Sequence, residues 1–203
     1  MNMIRLTAVV WALLCPSAFS QSAQSEAGSS YEPYQQAVLN EVNFARTDPS
    51  GYAQKRLAAE YAAKKDNGAY AQLMTTKPVK ALELEPRLAK AASDYAAFLA
   101  AKNRFGHNER GTPSSRMNGA GYSGSALGEN IACGSFPGMN ADETPSEAAV
   151  IFVKQWIIDA GVPGAGHRKN ILSPLFSQTG IGFGRNPKSS YVNYMVQDFG
   201  SPR

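Results

Sequence analysis

The sequence predicts an α+β domain in which helices cover a mostly antiparallel sheet. Three observations point there. Apolar residues recur at helical spacing through most of the chain, the period changes to that of strands near the C-terminus, and the composition, 43% hydrophobic and 18% charged, is that of an ordinary globular protein. The 203 residues are enough for one domain with a substantial core, and no internal repeat or second domain is visible.

Taken in order, the chain opens with Arg5 before an apolar run, Leu6 to Leu14, then Pro16 and Ala18-Phe19-Ser20. This is the pattern of a secretory signal peptide cleaved after Ser20. The run falls short of the ~20 residues of a membrane span, and no other segment approaches that length. Lipidation at Cys15 is the alternative, but it wants a small residue where Leu14 stands. The expectation is a secreted or periplasmic protein with a signal peptide at 1–20, a flexible Ser- and Gln-rich lead-in at 21–30, and a single domain over 31–203.

Val38, Val42 and Ala45 space out a first helix from Tyr34 to Arg46, which Asp48-Pro49 stops. An Ala- and Lys-rich second helix follows from Ser50 to Lys65, ended by Asp66-Asn67-Gly68. The clearest helix starts at Pro86 and carries Leu88, Ala92, Tyr95 and Leu99 to about Arg104. Residues 106–128 read as loop with one short helix around Pro113 to Asn118. A strand is expected around Glu129 to Gly134, and a fourth long helix from Pro145 to Ile158 with Ala149, Phe152, Val153 and Trp156 as its stripe. After another turn-rich stretch, Gly180 to Gly184 and Tyr191 to Phe199 form a hairpin joined by Arg185 to Ser190. Tyr191, Tyr194 and Phe199 read as sheet-face packing.

Composition excludes several functions. The net charge of +4 comes from scattered Lys and Arg, without the basic stripe of a nucleic-acid binder. Two cysteines, Cys15 and Cys133, exclude a disulfide framework and a four-cysteine zinc site. Nucleophile elbow, phosphate-binding loop and His-Glu-x-x-His helix are all absent from the sequence, and Cys133 in Ile131-Ala132-Cys133-Gly134 reads as a small buried thiol. The distinctive residues are the two histidines, each at a helix end among glycines and polar residues, with Glu129 and Asp159 at element boundaries. Spacing alone leaves open whether these four converge.

The ordered set Gly106-His107-Asn108, Gly128-Glu129-Asn130-Ile131, Trp156 and Gly166-His167-Arg168-Lys169-Asn170-Ile171-Leu172 resembles the CAP superfamily, that of cysteine-rich secretory proteins, antigen 5 and pathogenesis-related 1. The resemblance runs from Leu39-Asn40-Glu41-Val42-Asn43 to Val196-Gln197-Asp198-Phe199-Gly200. It implies a three-layer α-β-α sandwich whose cleft is lined by a tetrad of two His and two acids, here His107, Glu129, Asp159 and His167. Asp159 stands where the family usually has Glu, one methylene longer, and the lack of disulfides places the chain with bacterial relatives. The segment from Ile158 to Gly164 also looks longer than in many of them.

In this reading Asn108, Arg168 and Gln197 are secondary cleft candidates, with structural roles expected for Asn108 and Arg168. His107 and His167 suit Zn²⁺ or another divalent metal, with the carboxylates completing the shell or orienting the rings. The alternative is a purely structural cluster of carboxylates and imidazoles. Three functions follow: a secreted monomeric binding protein for an extracytoplasmic protein, lipid or small-molecule ligand, for which enzyme activity is not required; a metal-assisted hydrolase of peptides or cell-envelope material with Glu129 as base; or a lipid or sterol carrier.

Overall fold

Helix α1 (Glu32–Thr47) opens the computed structural model, which describes residues 32–134 and 144–203. The expected signal peptide, the lead-in and Cys15 lie outside the described residues. After α1 come α2 (Pro49–Tyr52), a π-helical turn (Ala53–Leu57), α3 (Ala58–Ala62), α4 (Ala69–Thr75), β1 (Glu83–Leu84), α5 (Pro86–Lys102) and α6 (Pro113–Gly119). The chain continues through β2 (Gly124–Gly134), α7 (Pro145–Ile158), α8 (Gly166–Leu172), β3 (Gln178–Arg185) and β4 (Asn193–Pro202). The sheet order is β1-β3-β4-β2, with β1 parallel to β3 and the other two pairs antiparallel. The mostly antiparallel sheet lies between two helical layers, the three-layer α-β-α arrangement.

Four helices begin alike, with a capping side chain and then proline, whose missing N–H costs nothing in the first turn; in α2 the cap is Asp48, which precedes Pro49 and accepts from the Gly51 amide. The Glu85 carboxylate accepts from the Arg87 and Leu88 amides at 2.9 and 3.0 Å before Pro86. Thr112 caps α6 before Pro113, and Thr144 with Glu147 forms a reciprocal capping box before Pro145.

Strand parity divides the core. Ile181, Phe183, Met195 and Phe199 pack on one face with α1 and α7 residues such as Val38, Val42, Phe152 and Trp156. On the other face Ile131, Tyr194 and Val196 meet Ala92, Tyr95, Ala96 and Leu99 of α5. The β3 residues facing α5 are all glycines. A Cβ at Gly180, Gly182 or Gly184 would fall 2.0, 2.1 or 2.3 Å from main-chain atoms of Leu88 and Ala89, of Ala92, or of Ala96, so the helix lies backbone-on-backbone against the strand.

A fully buried cation, Arg46, ties the other face together. Arg46 of α1 donates to the carbonyls of Lys80, Ile171, Ser173 and Phe176, at 2.9, 2.5, 2.9 and 3.0 Å. Burial lowers its pKa to about 10, and the four carbonyls compensate the charge with the hydrogen bonds a buried guanidinium requires.

The structure differs from the sequence reading at four places. The single helix expected over Ser50 to Lys65 is broken by the π turn, which brings Leu57 into the core and lays Arg56 bidentately on Glu41 at 2.7 and 2.8 Å. Helices α4 and α8 occupy stretches in which the sequence reading placed no helix; each has seven residues, about two turns and too little for a clear apolar period. The strand expected at Glu129 begins five residues earlier, at Gly124. Finally, Tyr194 faces α5 while Phe199 faces the opposite layer, and Tyr191 precedes the strand.

Two stability measurements follow. Gly182→Ala is expected to cost about 3 kcal/mol in urea unfolding, because the helix backbone leaves no room for the methyl group. Arg46→Met is expected to cost ~3–5 kcal/mol, because it strands four carbonyl acceptors.

Candidate functional site

The first histidine is placed by the end of α5. Asn103 closes the helix in the left-handed conformation at φ 49°, turning the chain toward the sheet. The Tyr95 hydroxyl then clamps the turn from inside, donating to the Gly106 carbonyl at 2.5 Å and accepting from the Glu109 amide at 3.1 Å. Arg116 of α6 completes the hold: its guanidinium lies 3.4 Å from the Tyr95 ring centroid and donates to the His107 carbonyl at 2.9 Å and the Gly111 carbonyl at 2.6 Å. The same guanidinium pairs with Glu129 on β2, whose other oxygen meets His107 Nδ1 at 2.7 Å.

The second histidine is placed by the turn between α7 and α8. Asp159 ends α7 at φ 55°, and its amide closes on the Gln155 carbonyl at 2.8 Å. One carboxylate oxygen accepts His167 Nδ1 at 2.7 Å; the other caps α8 by accepting the His167 and Arg168 amides at 2.8 and 3.3 Å. The shorter acid therefore reaches its imidazole, because the left-handed residue points the side chain back over the turn. Gly161, Gly164 and Ala165 also have positive φ, at 77°, 76° and 52°, and turn the chain from α7 into α8.

The two pairs meet over the edge of β2. Asn170 joins them, donating to the Glu129 carbonyl at 3.2 Å and to Asn130 Oδ1 at 2.9 Å, while Asn130 donates to the His167 carbonyl at 3.3 Å. The imidazole centroids stand 6.2 Å apart at 34°. Both carboxylates are buried, whereas the side chains of His107 and His167 are 44% and 17% exposed, so the rings are the part of the tetrad that solvent reaches. A carboxylate at Nδ1 assigns the proton of the neutral ring to that nitrogen and leaves the Nε2 lone pair available.

The secondary candidates separate. Asn108 is exposed beside His107. Arg168 is buried and bound to the Ile157 carbonyl at 2.9 Å, so it closes the preceding helix α7 rather than facing the cleft; burial lowers its pKa. Gln197 is corrected as a cleft residue: it is fully buried, paired in register with Asn130 rather than Glu129, and donates to Thr179 Oγ1 of β3 at 3.3 Å. Cys133 is half-buried and its thiol is pushed up to about 11 by burial, away from the thiolate that a nucleophile needs.

Sequence reasoning missed Tyr95, Arg116 and Asp198. Asp198 faces Glu129 directly across the β2–β4 pair. Its burial, and then the neighbouring Glu129 charge, hold its carboxyl well above the usual range, with Arg116 opposing. Asp198 stands in the C-terminal motif noted above, but only register shows its neighbour. Arg116 carries no local signal at all, since its partner lies 13 residues away on another element.

A sequence model of the cysteine-rich secretory protein (CAP) family matches residues 39–199. The Bacillus subtilis (strain 168) protein YkwD is 35% identical over 107 residues, 52% of this chain and 35% of that protein; the chain thus spans about a third of the length of this curated relative. Among solved structures, an extracellular protein containing an SCP domain from Bacillus anthracis aligns with a TM-score of 0.48 at 18% identity, over 83% of this chain and 40% of the other. An outer surface protein of Borrelia burgdorferi gives 0.48 at 19%, over 76% and 96%, and venom allergen-like protein 4 of Schistosoma mansoni gives 0.46 at 13%, over 83% and 88%.

The Asp198 carboxyl sets a pH dependence. A carboxyl whose folded pKa is raised binds its proton more tightly in the folded state, so stability is lost as pH rises from the ordinary Asp value of about 3.9 toward the raised one. Asp198→Asn cannot ionise. Its urea midpoint is expected to match the wild-type one near pH 4 and to exceed it at pH 7.

Proposed function

The chain belongs to the CAP family, and from that premise we propose that it is a binding protein of the extracytoplasmic space whose paired imidazoles hold a divalent metal ion, Zn²⁺ above all, at the cleft. One observation carries the reading: each ring is fixed through Nδ1 by a buried carboxylate at 2.7 Å. A carboxylate behind the ring in this way orients metal-binding histidines and raises their basicity.

The donor set fits an ion with open positions. Among the described residues no three His, Cys, Asp or Glu side chains form a ligand group, so His107 and His167 would be the protein's ligands while Glu129 and Asp159 stay behind them. The two imidazole centroids lie 6.2 Å apart, near enough that both rings would be the residues to hold one ion. A bound Zn²⁺ would supply a Lewis-acidic position open to a water molecule or to an oxygen or nitrogen of a ligand. The chain's own residues do the positioning: Arg116 and Tyr95 hold His107, and the capped turn at Asp159 holds His167.

The extracytoplasmic placement rests on the signal-peptide pattern of residues 1–20; among the described residues no helix is long and apolar enough to cross a membrane. A ligand-binding role asks no more of the site than these fixed rings provide. A hydrolase would also need a base and oxyanion donors aimed at one reacting atom, and Glu129, the base candidate, is already engaged by His107 and Arg116.

Calorimetric titration of Zn²⁺ at neutral pH is expected to show one saturable site. The site should vanish in a folded His107→Ala/His167→Ala double variant, and its affinity should fall ~10–100-fold in Glu129→Gln, which removes the charge that orients His107. Equal binding by the double variant and the wild type would refute the assignment.

A further inference from the structure

Strand β2 is an edge of the sheet, with β4 as its strand partner. The direction of its main-chain groups follows from the ladder. In antiparallel pairs alternate residues turn both N–H and C=O toward the same neighbour. The Asp198 and Gly200 carbonyls of β4 accept from Thr179 Oγ1 and the Ser177 amide, on the β3 side. Even residues of β4 therefore face β3, and odd ones, 193 to 199, face β2, where they pair with the even residues 134 to 128. The odd residues of β2 consequently turn their main chain off the sheet. Asn170 shows this directly, capping the Glu129 carbonyl from outside.

Farther along, the main chains of Ile131 and Cys133 have no such cap among the described residues. Ile131, Ala132 and Cys133 instead form one wall of a cavity of about 320 Å³, whose other walls include Phe105, Trp156, Ile158 and Val162, with Asp159 and His167 at its end. Trp156 is only 2% exposed, yet its indole N–H has no acceptor, although a buried tryptophan usually finds one. Phe105 stacks obliquely with Tyr191 at 5.8 Å, and both rings stay substantially exposed, prolonging the apolar wall outward.

We propose that this edge binds an extended peptide, which adds as a strand along Ile131 and Cys133 and sinks an apolar side chain among Trp156, Ile158 and Val162. Free edge groups read a peptide main chain, and a pocket beside them reads one side chain in two. A helical peptide has no main-chain groups to offer, and an acyl chain would fill the cavity but leave the edge unpaired. The peptide backbone passes beside His167, which stands at the end of the cavity. Docking uses no metal ligand, so it is separable from the metal reading.

The test titrates ¹⁵N-labelled protein, in excess EDTA, with a library of acetylated hexapeptide amides that alternate apolar and polar residues. Selected peptides are expected to bind saturably and to shift the Ile131, Cys133 and Trp156 indole N–H resonances. N-methylation of alternate peptide amides should weaken binding at least tenfold. Cys133→Pro should do the same, because it deletes an outward N–H that the ladder does not use, whereas Cys133→Ala should bind like wild type. If Cys133→Pro does not fold, the N-methylated peptides and Trp156→Phe, expected to bind more weakly, decide. The proposal is overturned if no hexapeptide binds at about 1 mM, a free energy of only about −4 kcal/mol, if the shifts fall elsewhere, or if N-methylation leaves affinity unchanged. Uptake of palmitate without peptide binding would likewise overturn it.

Discussion

The close approach of α5 to β3 is the constraint on which the rest of the molecule depends. Three glycines leave a bare strip along the strand, and alanines occupy much of the facing helix, so main chain lies against main chain. Glycine weakens a strand in isolation, and here the cost is offset by the area the helix buries. Because the distance is set by backbone atoms, the helix has no freedom to ride outward. Its C-terminal end, the Tyr95 hydroxyl and the turn carrying His107 are therefore delivered at a fixed height over the sheet.

That fixed height matters because the tetrad is assembled from opposite sides of the sheet. His107 and Glu129 belong to the α5 side, and Asp159 and His167 come from α7 and α8 on the other; they meet only where β2 ends the sheet. Asn170 and Asn130 stitch the two halves across the strand edge. Each half is internally rigid, with a carboxylate behind its ring, whereas the junction between halves consists of neutral amide hydrogen bonds. Any adjustment of the distance between the imidazoles is therefore expected at this junction rather than within either pair.

Much of this was legible in the sequence, for identifiable reasons. Long amphipathic helices with proline at the first turn declared themselves, and the alternation Gly180-Ile181-Gly182-Phe183-Gly184 marked a strand with unlike faces. The tetrad came from an ordered set of motifs that resembled a family, and spacing alone left its convergence open. What was hidden was non-local. Arg116 and Tyr95 act on partners from other elements, Asp198 gains its character from the residue opposite it on another strand, and two-turn helices such as α8 are too short to show a period. Gln197 misled because a motif records adjacency in sequence, whereas its side chain is fully buried and hydrogen-bonded to Thr179 on β3.

The Arg46 cluster ties the earliest helix to segments made last. Its guanidinium sits on the first helix, and three of its four carbonyl partners lie 125 to 130 residues later. Until that distant part of the chain arrives, α1 carries a cation and an apolar face with nothing to bury them against. A chain threaded through a membrane N-terminus first would hold this helix unpaired for most of its passage, so completion of the fold waits on the arrival of α8 and the turn at Phe176. The same feature that locks the finished domain would thus keep such a chain open until its C-terminal third has emerged.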